Sequence, residues 1–417
     1  MKIAFIYMNS EFNVGRGAGY VVGAILKSGY SLDFFDSKII NHSIIINKIL
    51  TGKYDIVMIS SMTLLFSDAL NIIKSIKSKK NIPILVGGIH VTAVGENILK
   101  DNKEIDYLCI GEGESFVVEF LEKFKKGELE LINNLIYRSD NKINSNPIRD
   151  PEDLSILPEF PWNLFNKDFI VKNNGMSYVT ATRGCPYSCT YCCNSIYLDI
   201  YKKSYMRKRP IKQVINELKF LRDKYKPKIF YFGDEMIFFD ENYAKELFSS
   251  IYSEVKVPYG GMGRVESMNE DMVKHLKNTG CKYLAMGIEC GDEEFRKTFL
   301  NRYMSNEKIK TAFKLCRENN IFTTSFNIIG YPVENDNELT EKTIKFNQEV
   351  KPSFSQVTIF YPFVGTKLYD YCIERNLIEE SKTTQYYNES VIKGKKVLSK
   401  MKQMNKLLNP NGLTFKI

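Results

Sequence analysis

The sequence predicts an α/β protein in which a doubly wound parallel sheet is followed by a partial (β/α)6 barrel. Three observations carry that prediction. Short apolar runs alternate with helical patterns over about the first 125 residues, a second strand-helix series runs from about 177 to 361, and a polar, proline-bearing stretch separates them. In the first series the expected strands are residues 2–8, 31–36, 55–60, 82–87 and 107–110. Between them lie segments such as Ala69, Ile72, Ile73 and Ile76, whose i, i+3, i+4, i+7 placement makes one apolar helix face. This is a five-stranded doubly wound domain over residues 1–126.

Residues 127–174 read as a hairpin around Leu135-Ile136-Tyr137-Arg138 and an extended linker, with Pro147, Pro151, Pro158 and Pro161 near the sole tryptophan, Trp162. The second series, within residues 175–385, offers strands at 178–182, 228–232, 259–264, 283–289, 323–329 and 355–360. Its helix over 211–225 places Ile211, Val214, Ile215, Leu218 and Leu221 on one face. Six such units make an incomplete barrel. Residues 386–417 are Lys-rich, and 391–408 read as a solvated helix ending at Asn409-Pro410-Asn411-Gly412, with no function assigned.

A chain of 417 residues exceeds one ordinary core and divides into two or three domains. With 44% hydrophobic and 26% charged residues, it has globular rather than disordered composition. No apolar run approaches the roughly 18–20 residues of a membrane span. The apolar start Lys2-Ile3-Ala4-Phe5-Ile6-Tyr7 is too short for a signal-peptide core, so a cytoplasmic location is expected. The net charge of +9 comes from scattered lysines without a dense basic block, which argues against a nucleic-acid substrate. Only three histidines occur, at 42, 90 and 275, which argues against a His-rich zinc or non-haem iron site.

Nine cysteines, three of them within eight positions, fit metal ligation in a reducing compartment better than disulfides. The segment Thr182-Arg183-Gly184-Cys185-Pro186-Tyr187-Ser188-Cys189-Thr190-Tyr191-Cys192 places C-x-x-x-C-x-x-C directly after the first strand of the second series. Gly184 and Pro186 keep the start of this segment out of regular helix. Three thiolates so close in sequence can hold one iron-sulfur cubane, and four would satisfy every iron. Cys185, Cys189 and Cys192 are thus expected to leave one iron open. A structural zinc ion is the alternative, but it wants a fourth Cys or His; Cys193 is poorly placed by adjacency and no histidine is near.

With Tyr191 just before the last cysteine, the motif resembles that of the radical S-adenosylmethionine (SAM) superfamily, and the resemblance extends over the second domain. It implies a TIM-type partial barrel, a [4Fe-4S] cluster, and cleavage of SAM to a 5′-deoxyadenosyl radical, driven by an external one-electron reductant such as flavodoxin or ferredoxin. By resemblance Tyr191 lies near the adenine, or it simply packs the loop. Tyr231-Phe232-Gly233-Asp234-Glu235 ends the second strand, where the family presents acidic groups to the methionine ammonium; Asp234 and Glu235 inherit that role unless they only form a turn. Arg264 ends the third strand and could meet the SAM carboxylate. Glu289, in Gly287-Ile288-Glu289-Cys290-Gly291 at the end of the fourth, could meet the ribose or amino group. Either could instead be half of a structural ion pair. Gly330, in Asn327-Ile328-Ile329-Gly330-Tyr331-Pro332, matches the segment where backbone approaches adenine, or is a turn glycine. Tyr361-Pro362-Phe363-Val364-Gly365-Thr366 resembles the segment after the sixth strand.

The first domain resembles the Rossmann-like cobalamin-binding domain that precedes many radical SAM domains. The matching residues are Ser60, Ser61 and Thr63 after the third strand, Gly87, Gly88 and His90 after the fourth, and Gly111, Glu112 and Gly113 after the fifth. All fall at the carboxyl ends of parallel strands, the edge where open α/β sheets bind ligands. Small residues there would admit a cofactor's nucleotide tail. The Asp-x-His-x-x-Gly motif that supplies a cobalt-ligating histidine is absent from Asn9-Ser10-Glu11-Phe12-Asn13-Val14-Gly15. His90 fits a loop residue bonded to backbone or cofactor as well as it fits a ligand.

The function so implied is a cobalamin-dependent radical SAM methyltransferase acting on an unactivated carbon of a small-molecule metabolite. Two alternatives stay open: a radical SAM rearrangement or cyclisation enzyme with cobalamin structural or absent, and a noncatalytic iron-sulfur protein that transfers electrons or senses redox state.

Overall fold

The structure is a computed structural model that describes residues 1–10, 14–139, 142–379 and 389–410. Parts of two expected features, the loop after the first strand at 11–13 and the tail at 386–388 and 411–417, lie outside the described residues. The chain divides into two compact units: Met1–Ile170 with Ile196–Tyr205, and Val171–Ser195 with Met206–Ile417. Among the described residues no helix is long and apolar enough to cross a membrane.

The first unit is built on strands β1 (Lys2–Tyr7), β2 (Ser31–Asp36), β3 (Ile56–Ser60), β4 (Ile84–Gly87) and β5 (Tyr107–Cys109), all parallel, in the order β2-β1-β3-β4-β5. The strand order reverses between β1 and β3, so the carboxyl edge there is the topological switch point of an open sheet. Alternate residues feed opposite faces. Ala4, Ile6, Val57, Ile59 and Val86 pack beneath Ala69, Ile72, Ile73 and Ile76 of the helix Phe66–Lys77. Ile3, Phe5, Ile56, Met58 and Leu85 pack with the helices Arg16–Lys27 and Glu114–Phe124.

Among the described residues the sheet has seven strands rather than the expected five. The hairpin β6 (Leu135–Ser139) and β7 (Lys142–Ser145) adds antiparallel to the edge, pairing Tyr107 with Tyr137 and Cys109 with Leu135. Pairing covers the open donors and acceptors of β5 and buries Leu135, Ile136 and Tyr137. The expected hairpin is therefore present, and its strands, residues 135–139 and 142–145, belong to the sheet.

In the second unit, β8 (Met176–Val179) is followed by the short strands β9 (Thr182–Arg183) and β10 (Arg207–Lys208), which pair antiparallel as a ribbon. The main sheet then continues through β11 (Ile229–Phe232), β12 (Tyr259–Gly263), β13 (Cys281–Glu289), β14 (Phe322–Ile329) and β15 (Phe354–Ile359). Together with β8 these make six parallel strands in sequence order, with β8 and β15 at its two edges. Helices between the strands include Ile211–Tyr225, Glu241–Ser250, Glu270–Asn278 and Asn306–Glu318. Asp240, Asn269 and Ser305 cap the last three with side-chain oxygens that accept backbone N–H bonds.

The tail departs from expectation. Its helix, Leu398–Leu408, buries Met401 and Met404 with Val397 against Ile329, Val357 and Ile359. Asn409 then accepts from Ser355 N at 2.8 Å and donates to Ser355 O at 2.8 Å, along edge strand β15. The physical reason is the edge itself: an uncovered apolar face and unpaired ladder groups need a partner, so this helix covers the sheet instead of standing in solvent.

Candidate functional site

The C-x-x-x-C-x-x-C segment begins where ribbon strand β9 ends. Gly184 has φ of 104°, a left-handed conformation that turns the chain into the loop. The loop's foot is held by Asp234, just beyond β11. Its Oδ1 accepts from Ala181 N at 2.8 Å, Thr182 N at 2.5 Å and Thr182 Oγ1 at 2.7 Å. Asp234 is completely buried, and lost hydration raises its carboxyl to about 6 against the pull of those donors. Its Oδ2 is buried with no hydrogen-bond partner among the described residues.

A second clamp comes from the segment after the helix Glu293–Thr298. Asn301 Nδ2 donates to Ser188 O and Oγ, both at 2.9 Å. Thr190 donates through N to Leu300 O at 3.2 Å and through Oγ1 to Phe299 O at 2.7 Å, and its own carbonyl accepts from Leu368 N at 3.0 Å. So held, the three thiols share one neighbourhood: burial raises Cys185 to about 11, with the negative charge of Cys192 and Cys189 adding to the rise. A hydrogen bond from Cys193 draws the Cys192 thiol below its ordinary value.

Two buried guanidiniums reach the middle sulfur. Arg264, just past β12, lies 3.6 Å over the Tyr187 ring, pairs with Glu266 at 2.5 Å, and brings Nη1 to 3.8 Å from Cys189 Sγ. Arg302 brings Nη1 to 3.9 Å from the same sulfur, to 3.2 Å from Tyr191 Oη and to 3.7 Å from Glu289 Oε1, while its Nη2 donates to Gly287 O at 2.8 Å. Glu289 sits in a bulge of β13 with φ of 66°; burial raises its carboxyl, opposed by Arg302 and a Tyr191 hydrogen bond. A Cβ at Gly287 would stand 2.1 Å from the Glu289 carboxylate and 3.1 Å from Arg302, so a side chain there would displace both.

Glu235 is open to solvent, yet it lies deep enough that lost hydration, helped by Asp234, raises it to about 7. Among the charges that act on it is the Cys192 thiol, which adds to the rise. Gly330 ends β14 with φ of 78°, and the place of its absent Cβ is filled by Val397 at 3.1 Å.

In the first unit the register sets Ser60 beside Gly87 and Gly87 beside Cys109, so the ends of β3, β4 and β5 form one edge. Gly88 has φ of 110° and a Cβ there would meet Ser61 O at 2.3 Å. His90 packs on Phe66 with ring centres 4.2 Å apart and approaches Thr63 Oγ1 at 3.4 Å; burial lowers it to about 4, so the imidazole is neutral at neutral pH. Gly111 has φ of 78°, with Tyr201 Oη 2.2 Å from where its Cβ would be. The same Oη accepts from Glu112 N at 2.9 Å. Tyr197, Tyr201 and Tyr205 stack on one another at 5.7–6.2 Å. Gly113 leaves room for Val21, and Glu112 Oε2 accepts from Glu152 N at 2.7 Å. Gly88 and Gly111 are thus small for reasons internal to the protein. Ser60, Thr63, Gly87 and His90 stay partly open beside the exposed Met62.

Comparison with known proteins matches residues 179–345 to the Radical SAM superfamily and residues 14–121 to the B12 binding domain. This chain is a radical SAM enzyme with an amino-terminal B12-binding domain. Over 368 residues it is 29% identical to a protein of Pyrococcus horikoshii named as an uncharacterized methyltransferase, covering 87% of this chain and 78% of that one. Over 401 residues it is 24% identical to the anaerobic magnesium-protoporphyrin IX monomethyl ester cyclase of Cereibacter sphaeroides, covering 88% of this chain and 63% of the cyclase. The fold is shared with the radical SAM methyltransferase TsrM of Kitasatospora setae, solved with cobalamin and a [4Fe-4S] cluster, at a TM-score of 0.73 and 15% identity over 90% of this chain and 78% of that one.

The radical SAM domain's donor set fits a cluster. Among the described residues no three His, Cys, Asp or Glu side chains converge as around a single metal ion. A cubane bound through three separate irons spreads its thiolates more widely, and the two guanidiniums at Cys189 suit an anionic cluster. Of the residues expected near SAM, the fold brings Tyr191, Arg264 and Glu289 together around Cys189, and sets Glu235 beside Cys192. Asp234 commits one oxygen to the loop, and Gly330 lies against the tail. The partly exposed Ser60 and Thr63, the neutral His90 and the apolar Met62 fit a large, partly apolar cofactor at the edge of the B12-binding domain.

Sequence reasoning missed Arg302 and Asn301. No periodicity or motif marks them, and Arg302 reaches its sulfur across 113 residues.

Proposed function

We propose that this enzyme is a cobalamin-dependent methyltransferase that places a methyl group on an unactivated carbon of a small-molecule substrate. The observation that carries the reading is the pairing on one chain of a B12-binding domain with a three-cysteine radical SAM loop. The Pyrococcus horikoshii relative named as a methyltransferase, matched over 87% of this chain and 78% of its own, supports it. When bound, the cluster supplies the electron that cleaves SAM to a 5′-deoxyadenosyl radical, and cobalamin carries the methyl group.

The chain's own residues prepare that chemistry. Cys185, Cys189 and Cys192 hold the cluster on a loop that Asp234 and Asn301 fix from two sides. Glu235, exposed and electrostatically coupled to Cys192, receives the SAM ammonium; Tyr191 and Glu289, oriented by Arg302, face the nucleoside. Arg264 is already paired with Glu266 and contributes positive charge. Ser60, Thr63 and His90, at the carboxyl ends of β3 and β4, would hydrogen-bond cobalamin. An external one-electron donor such as flavodoxin or ferredoxin loads the cluster.

Anaerobic reconstitution with iron, sulfide and hydroxocobalamin, followed by SAM and reductant, tests this. The expected products are 5′-deoxyadenosine together with S-adenosylhomocysteine. Loss of cobalamin on gel filtration, with 5′-deoxyadenosine as sole product, would instead support a rearrangement or cyclisation enzyme, the reading favoured by the cyclase relative. A cluster whose paramagnetic resonance spectrum ignores SAM would sink both.

A further inference from the structure

We propose that Arg264 and Arg302 form a cationic collar on Cys189 that raises the reduction potential of the cluster bound there. The inference rests on the cluster reading above. Both guanidiniums are buried, 7% and 6% exposed, and they come within 3.8 and 3.9 Å of the same sulfur.

Each is locked in place by contacts that have no need of substrate. Arg264 lies flat on the Tyr187 ring and is tied to Glu266. Arg302 donates to Gly287 O and Tyr191 Oη, in space that exists because residue 287 has no side chain. Its nearest carboxylate, Glu289, stands 3.7 Å away, and its Nε has no partner among the described residues.

Reduction adds one negative charge to a cluster. Buried positive charges fixed beforehand favour that state, because low local polarizability strengthens their attraction and no reorganisation is needed. Cluster potentials respond to net charge and to hydrogen bonds at the sulfurs in this way. A neighbouring opposite charge within about 4–6 Å typically moves an ionisation equilibrium by about one to three decades, so a tenfold change is a conservative expectation here.

Potentiometric titration of the reconstituted holoenzyme, read by the paramagnetic resonance of the reduced cluster, tests the collar. At the wild-type midpoint, Arg302→Gln and Arg264→Gln should each lower the reduced-to-oxidised ratio at least tenfold, about 59 mV for a one-electron couple. Arg302→Lys and Arg264→Lys, which keep the charge, should recover part of it. Glu266→Gln removes a neighbouring negative charge and should move the midpoint upward. Unchanged midpoints in both glutamine variants at wild-type iron and sulfide content overturn the proposal. If those variants fail to hold a cluster, an unmoved Glu266→Gln midpoint overturns it instead. Wild-type protein that binds no cluster, or whose cluster ignores SAM, fails the underlying reading and is told apart by that spectrum alone.

Discussion

Asp234→Asn should make the stability of the second unit less dependent on pH. The wild-type carboxyl is fully buried and pushed up to about 6 from the ordinary 3.8, with lost hydration outweighing the bonds from Thr182 and Ala181. The folded chain therefore holds this proton more tightly than the unfolded chain, and folding stability falls as pH rises from the unfolded value through the folded one. A displacement of about two units amounts to about 3 kcal/mol in full. About 2 kcal/mol of that falls between about pH 4.5 and 7.5. Asparagine offers the same acceptor oxygen to Ala181 and Thr182 but does not titrate. The variant should therefore gain about 2 kcal/mol relative to wild type across that interval. Hydrogen-deuterium exchange of peptides covering β8 and β11, on the iron-free chain of both proteins, reads the stability of this unit alone. A difference that stays flat with pH, or slopes the other way, refutes the reasoning.

Two further substitutions test packing. Gly111→Ala forces a side chain into a left-handed conformation and against Tyr201 Oη; it should cost about 1–3 kcal/mol, seen as a lower melting temperature of the first unit. Tyr201→Phe in the same chain should return part of the loss, and a silent Gly111→Ala would contradict the packing. Met404→Ala empties a fully buried site among Ile329, Val357 and Ile359 and should cost about 2–5 kcal/mol in urea denaturation. Its exposed neighbour Lys402→Ala should stay within about 0.5 kcal/mol.

The strands were legible because buried parallel strands read as near-continuous apolar runs, and all eleven expected parallel strands occur within a few residues of their predicted bounds. The hairpin was legible as a hairpin but not as an edge of the sheet, since nothing local announces where β6 pairs. The tail helix misled because Lys400, Lys402 and Lys406 made it read as solvated; Leu398, Met401, Met404 and Leu408 did carry a narrow apolar stripe. At the candidate site, the cysteine spacing and acidic strand end could be read from neighbours in sequence. Asp234's hold on Ala181 and Thr182, and the meeting of Arg264 and Arg302 at Cys189, could not, because those contacts join residues 52 to 113 positions apart.

The ten residues Ile196–Tyr205 belong to the first unit although sequence of the second lies on both sides of them. The polypeptide therefore passes from one unit to the other three times, and the boundary cannot be cut with a single scission. A fragment starting at residue 171 would carry Tyr201 without the Gly111-Glu112 backbone that receives it, and a fragment ending at 170 would leave Gly111 with an empty notch. For protein engineering, the two units are stitched rather than strung: exchanging the B12-binding half between relatives requires grafting two separate stretches of sequence at once.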